Sequence, residues 1–225
     1  MPGDSSPFYL FANVNFVPDC YDAWQAAYDD LGRYVFDHEQ STETYYFGIP
    51  VEYGSEISKT PHMFAFEAYG KREDLYTTHL GSAAMQVFLQ KVPPLMTTGL
   101  DLLHFEKVGG YVDRRNDLSA CAVMKDTRIK ATSASSREVI VEAMKTLSRN
   151  IEEDKECEGV LTFATFKSLD NEVDGRIFAR WDTRERMEWF SRRADVLAFW
   201  AGIKEHVEQM EWKNYVENGK GWLHR

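Results

Sequence analysis

The stretch His62-Met63-Phe64-Ala65-Phe66-Glu67-Ala68-Tyr69-Gly70-Lys71, continued as far as Phe88, decides how this chain is read. Its first eight residues predict a strand with Phe64, Phe66 and Ala68 on one face and Ala65, Glu67 and Tyr69 on the other. Gly70-Lys71 turns the chain, and Leu75, His79, Ser82, Met85 and Phe88 then recur at helical spacing. If one strand face packs against helices, the other must line something else. An acid and a phenol on one strand, with a histidine near the start of the next helix, are the ingredients of a sheet-floored pocket. A half-exposed strand would account for the same residues.

Outward from that stretch, Phe8 to Val17 is rich in β-branched and aromatic residues and reads as a strand, ended by Pro18-Asp19 and preceded by a polar leader expected to be mobile. Trp24, Ala27, Tyr28, Leu31, Tyr34 and Val35 mark a helix from Tyr21 to about Glu39. Thr42 to Ile49 is a second strand, and Pro50 to Pro61 is a long loop, either a lid over the pocket or a plain surface excursion. Pro93-Pro94 closes the helix after His79, and Leu100 to Val108 is a strand expected to stop at Gly109-Gly110. The order is βαββαβ.

The polar run Asp113-Arg114-Arg115-Asn116-Asp117 is the expected boundary, separating a domain over 8–112 from one over 118–225. The second half repeats the order. Strands are expected over Ala120–Lys130, Val160–Lys167, Arg176–Trp181 and Met210–Val216, and helices over Arg137–Glu156, capped by Ser135 or Ser136, and Arg184–His206. At an offset of 112 positions Phe66 aligns with Phe178, Arg72 with Arg184 and Glu73 with Glu185, and Tyr69 and Phe88 face Trp181 and Trp200. Matching element order is what an internal duplication leaves behind. A βαββαβ unit has both helices on one side of its sheet, so the opposite face, expected to carry Tyr69 or Trp181, needs a second sheet.

Composition narrows the function classes. The 225 residues are 44% apolar with a formal charge of −10 and no basic stripe, which argues against nucleic-acid binding. Cys20, Cys121 and Cys157 are widely spaced and read as free thiols of a reducing compartment. No run is apolar enough to span a membrane and the N-terminus lacks a basic or apolar signal, so a cytoplasmic protein is expected. The sequence has no dinucleotide or phosphate glycine loop, no Gly-x-Ser-x-Gly and no tight His/carboxylate cluster for a metal.

The run Phe66-Glu67-Ala68-Tyr69, followed by Arg72-Glu73-Asp74-Leu75 and His79-Leu80-Gly81-Ser82, resembles the antibiotic biosynthesis monooxygenase (ABM) domain. That family's pattern is an aromatic-Glu-x-Trp strand before a helix with His-x-x-Ser. Glu39 before Thr42-x-Thr-Tyr45, and Glu156 before Gly159-x-Leu161-x-Phe163, are similar to its helix-to-second-strand junction. Two departures stand out: Tyr69 replaces the usual Trp, and the second half reads Ser191-Arg192-Arg193-Ala194 where His-x-x-Ser would fall. The resemblance covers nearly the whole chain. It implies an α+β fold of two ferredoxin-like βαββαβ repeats, their antiparallel sheets packed face to face as an intramolecular dimeric α+β barrel, in the style of tandem fungal members.

The resemblance also implies an oxygenase that needs neither metal nor flavin, because an activated aromatic substrate such as an anthrone supplies the electrons for O2. Such a protein requires a dry aromatic cavity, a base, and donors for the anion. His79 is the first candidate base, since an imidazole has suitable basicity near neutral pH. Glu67 becomes one if burial raises its pKa, Tyr69 is a candidate donor, and His62 is a secondary candidate beside the long loop. Tyr45, Tyr46, Trp24 and His38 are candidate substrate contacts in the first half, although His38 also suits a helix C-terminus. In the second half Phe163, Arg180 and Trp181, with Trp212, would form an aromatic wall with an anion hook, or a sheet interface. Bracing histidines, paired carboxylates and satisfied core tyrosines explain many of these residues without catalysis. The expected partners are a small aromatic substrate and O2, with a homodimer of the whole chain allowed. A cyclase or isomerase using the same cavity, and a non-catalytic ligand-binding barrel, are the other functions the residues permit.

Overall fold

A computed structural model describes residues 7–114 and 120–225. The polar leader up to residue 6, and residues 115–117 of the expected boundary, lie outside the described residues. The chain forms two compact units, one made of Met1–His104 with Asn218–Arg225 and the other of Phe105–Glu217. No helix among the described residues is long and apolar enough to cross a membrane.

The first unit runs β1 (Phe8–Asn15), α1 (Tyr21–His38), β2 (Thr42–Pro50), β3 (His62–Tyr69) and α2 (Ala83–Lys91). β3 is central, pairing antiparallel with β1 through Phe8↔Tyr69 to Asn15↔His62 and with β2 through Tyr45↔Glu67. Two short helical turns, Val51–Tyr53 and Ile57–Lys59, occupy the long loop before β3. α1 follows the predicted stripe, burying Trp24, Tyr28, Leu31 and Val35. The last carbonyls of a helix have no partner within it. Here Arg225 supplies one, donating to Phe36 O at 2.7 Å, Val35 O at 2.9 Å and Thr42 O at 3.0 Å.

The predicted helix after β3 is broken. Asp74–His79 forms a π-turn, closed by the Leu80 amide donating to Leu75 O at 2.8 Å, and α2 begins only after Ser82. Ser82 is the N-cap, its side chain accepting from the Met85 amide at 3.1 Å. A π-turn inserts an extra residue into the helical repeat, and such insertions turn a side chain out of its α-helical direction. His79 is the last residue of this one.

The sheet faces also differ from expectation. Leu10, Ala12, Met63, Ala65, Glu67, Tyr45 and Phe47 share a cavity with Trp24 and Tyr28 of α1 and Met85 and Phe88 of α2, so Glu67 faces the helices. Phe11, Phe64 and Phe66 lie on the opposite face, with the Phe11 and Phe66 rings 5.0 Å apart. All three are buried. Alternation could not orient β3, because both its faces are apolar apart from Glu67 and Tyr69, and those two satisfy each other.

The second unit contains the Phe105–Tyr111 part of β4 (Asp101–Tyr111), β5 (Val123–Ala131), α3 (Ala134–Glu153), β6 (Val160–Ser168), β7 (Asp174–Trp181), α4 (Arg184–Ser191), α5 (Ala194–Ile203) and most of β8 (Val207–Trp222). Its antiparallel order is β8-β5-β7-β6-β4, with Lys125 opposite both Ala179 and Asn214. β4 does not stop at Gly109-Gly110. It shifts register between Lys107 and Gly109 and continues to Tyr111 against Phe163. Gly110 has φ +77°, and a Cβ there would lie 1.8 Å from Phe163 O, so only glycine carries the strand through the bulge. Ser133, two residues earlier than expected, caps α3 by accepting from the Ser136 amide at 3.1 Å. The single helix expected over Arg184–His206 is split at Arg192-Arg193 into α4 and α5.

Candidate active site in the first unit

The helix-facing side of β3 places Glu67 and Tyr69 next to each other, and the Tyr69 hydroxyl donates to Glu67 Oε2 at 2.6 Å. The π-turn places His79 against them, with its ring 5.8 Å from that of Tyr69. His79 Nδ1 lies 2.8 Å from Glu39 Oε2, and both side chains are 2% exposed. In the tautomer whose Nδ1–H donates to Glu39 Oε2, Nε2 is left as the acceptor facing the Tyr45 hydroxyl at 3.4 Å. Thr42 Oγ1 also donates to Glu39 Oε2, at 3.4 Å. The result is a chain of polar groups, Thr42-Glu39-His79-Tyr45, beside the Tyr69-Glu67 pair.

Glu39 was not among the candidate site residues. One step beyond Val35 on the buried stripe of α1, it is an acid on an apolar helix face, and that position was the available signal. Tyr28 was missed as well, as one more aromatic on the same stripe.

Burial is the largest influence on Glu67 and on the phenols around it. Desolvation pushes Glu67 up from 4.5 to about 6, while the nearby His79 and the Tyr69 hydrogen bond pull the other way. The Tyr28, Tyr45 and Tyr69 hydroxyls are held well above their usual range, first by burial and then by the Glu67 charge. They therefore remain protonated donors at any physiological pH. The Tyr28 hydroxyl and the Trp24 indole N–H, both at the cavity wall, have no hydrogen-bond partner among the described residues.

The cavity measures about 40 Å³ and is lined by Glu67, His79 and Tyr45 among apolar side chains. That volume suits a water-sized or diatomic molecule. Leu80, Leu100 and Leu102, which also line the cavity, are half-buried.

Of the other candidates, Trp24 lines this cavity, stacked on Tyr28 at 5.8 Å and edge-on to Phe88 at 5.4 Å. Tyr46 pairs with Phe66 on the far face of the sheet. His62 is at the start of β3, its Nδ1 3.1 Å from Asn15 Oδ1, away from the Glu67 group. His38 is exposed at the end of α1, bonded to Tyr34 O at 3.0 Å and stacked on the Tyr34 ring. In the second unit, Phe163, Trp181 and Trp212 share a separate cavity. Arg180 is not among its lining residues; it donates to Glu217 Oε1 at 3.3 Å and Thr162 Oγ1 at 3.4 Å. Among the described residues no group of three or more His, Cys, Asp or Glu is placed to hold a metal ion.

Fold and site together define an α+β protein whose antiparallel sheet carries a buried acid–base network beneath its helices. No family model and no curated protein matches the sequence. Solved structures do match, over nearly the full length of both chains. A candidate monooxygenase from Fusobacterium nucleatum is 13% identical with a TM-score of 0.79, covering 97% of this chain and 94% of its own. A candidate monooxygenase from Lactobacillus acidophilus is 11% identical with a TM-score of 0.74, covering 94% and 93%. A protein described as anthrone oxidase-like is 12% identical with a TM-score of 0.63, covering 96% and 92%. The likeness shows the fold: this chain has the α+β fold of these proteins, the fold class that the ABM resemblance implied.

Proposed function

We propose that the protein is a monooxygenase that oxidises an electron-rich aromatic substrate of the anthrone or phenol kind with O2, without metal or flavin, in the cavity of the first unit, which the substrate enlarges by displacing the half-buried Leu80, Leu100 and Leu102. The observation that carries this reading is Glu67, a carboxylate raised to about 6 inside an aromatic cavity, among phenols that stay protonated. The fold is shared with proteins described as candidate monooxygenases and as anthrone oxidase-like, and that description supports the reaction class.

In this reading Glu67 removes a proton from the activated CH2 of the substrate, because its affinity is matched to near-neutral pH and it lines the cavity. His79 has both ring nitrogens engaged, by Glu39 and Tyr45, and acts as a positioning residue. It holds Tyr45 at the cavity wall, and the Tyr28 hydroxyl, which has no hydrogen-bond partner among the described residues, donates to the oxyanion of the substrate. The anion passes one electron to O2, and the radical pair recombines to a peroxide. Loss of water then leaves a carbonyl, so one oxygen atom stays in the product and the other departs as H2O. The apolar walls exclude water from the anion.

Oxygen uptake with an anthrone, under chelator and alongside quinone absorbance, tests the reading. The expected result is uptake matched one to one by quinone, falling about 100-fold or more in Glu67→Gln. Full turnover in Glu67→Gln removes the proposed base. Turnover without O2 replaces the oxygenase with a cyclase or isomerase.

A further inference from the structure

The second unit has a larger cavity, about 240 Å³, which the reaction above does not use. Phe163, Trp181, Phe190, Trp200 and Trp212 surround it, and the one cationic side chain in its lining is Lys125. Trp212 is 57% exposed, so the cavity opens to solvent on that side. Aromatic walls within ring-stacking distance, such as Trp181 and Phe190 at 5.6 Å and Phe163 and Phe190 at 5.7 Å, suit a flat ligand of one or two fused rings.

Lys125 gives the site its sign. It is half-buried, and it makes no hydrogen bond or ion pair among the described residues. Desolvation lowers its pKa, with no opposing charge to restore it. Burying an unpaired ammonium costs stability unless something neutralises it. The neighbouring position on the same strand shows the contrast. Asp126 points to the other face, where Arg176 meets it with two hydrogen bonds of 2.5 and 2.7 Å. The sheet pairs its charge there and leaves Lys125 without one. The cavity has a second unmet group, the Trp181 indole N–H, in a side chain that is 2% exposed.

A cation, an N–H donor and aromatic walls around one cavity are complementary to an anionic ring. We propose that this cavity is a second ligand site that binds a planar aromatic carboxylate, with Lys125 as its counter-charge. The site is independent of the Glu67 chemistry.

Titration calorimetry on the full chain with 2-naphthoate and its uncharged isostere 2-naphthamide tests it. Naphthoate should bind at least about tenfold more tightly than naphthamide, as a charge-assisted contact requires. Lys125→Met should erase that difference while naphthamide binding persists, and Lys125→Arg should restore it. Lys125→Met should also unfold at a higher temperature than the parent, because an unpaired charge has been removed. Glu67→Gln should bind naphthoate unchanged, which separates this site from the proposed oxygenase site. The proposal is overturned if naphthoate and naphthamide bind alike, if neither binds at millimolar concentration, or if Lys125→Met lowers the unfolding temperature. Loss of binding in Glu67→Gln also overturns it, because the ligand would then belong to the first unit.

Discussion

Glu67 is a residue on which burial and hydrogen bonding act in opposite directions, and burial wins. The folded state holds its proton up to about pH 6, whereas a free carboxyl releases it near 4.5. Between those values the folded state binds more protons than the unfolded state, so stability falls as pH rises through the window. The difference amounts to about 2 kcal/mol, fully present above pH 6 and absent below 4.5. Glu67→Gln should therefore be more stable than the parent by up to that amount at pH 7 and equal to it at pH 4, by urea unfolding at both values. Activity has the opposite sign, because the base is useful only when ionised. The parent kcat/KM should rise with pH through about 6, and a profile without that limb would remove Glu67 as the base. Asp126 acts in the opposite direction. It neutralises the fully buried Arg176 through two hydrogen bonds. Asp126→Asn should cost about 3–5 kcal/mol, while replacing both partners by apolar residues of similar volume should recover most of that loss.

At the scale of elements, the site depends on a helix that fails to continue. Leu75, His79, Met85 and Phe88 keep a helical rhythm across the break, so periodicity predicts one helix, and Gly81 is the only residue that argues for interruption. α1 was legible because its 3.6-residue stripe agrees with burial, and the strands because runs of β-branched and aromatic residues lie between turn residues. The break was not legible, because His79, the last residue of the π-turn, makes its contacts with Glu39 and Tyr45, both distant in sequence. The same limit applied to the orientation of β3, whose two apolar faces gave alternation nothing to choose between. The grouping of Glu67, Tyr69 and His79 was legible from the motif, whereas Glu39 stood in the sequence only as part of the helix-to-strand junction and at the end of the α1 stripe, with no role attached. Ser82 of the His-x-x-Ser pattern has a structural role that the motif did not disclose. As the N-cap of α2 it should cost about 1 kcal/mol on Ser82→Ala, with Ser82→Asp retaining stability. Chemical denaturation reads the loss. A Ser82→Ala variant as stable as the parent would mean that the cap contributes nothing.

At the scale of the whole molecule, the first unit is completed by residues that the chain reaches only after passing through the second. Thr44 donates to Leu223 O at 2.7 Å, the Phe36 and Trp222 rings meet edge-on at 5.1 Å, and Arg225 closes the end of α1. These contacts are around Glu39, the residue immediately after α1, and the charge of Glu39 acts on Arg225. The last residues therefore fix the helix terminus that Glu39 directly follows, and Arg225 bears on that carboxylate through its charge. Arg225→Ala should lower stability by about 1–2 kcal/mol, since it removes the donor to Phe36 O and one of two donors to each of Val35 O and Thr42 O. Arg225→Lys should recover only part of this, because a point charge cannot replace a fork that serves three oxygens. If Glu39 orients His79, Arg225→Ala should also lower kcat more than it changes KM, through looser placement of the imidazole. Urea unfolding together with steady-state kinetics on the three proteins decides the matter. Loss of stability with kcat intact would confine Arg225 to holding α1, and no loss of either would mean that the contacts at the end of the chain carry no weight in the first unit.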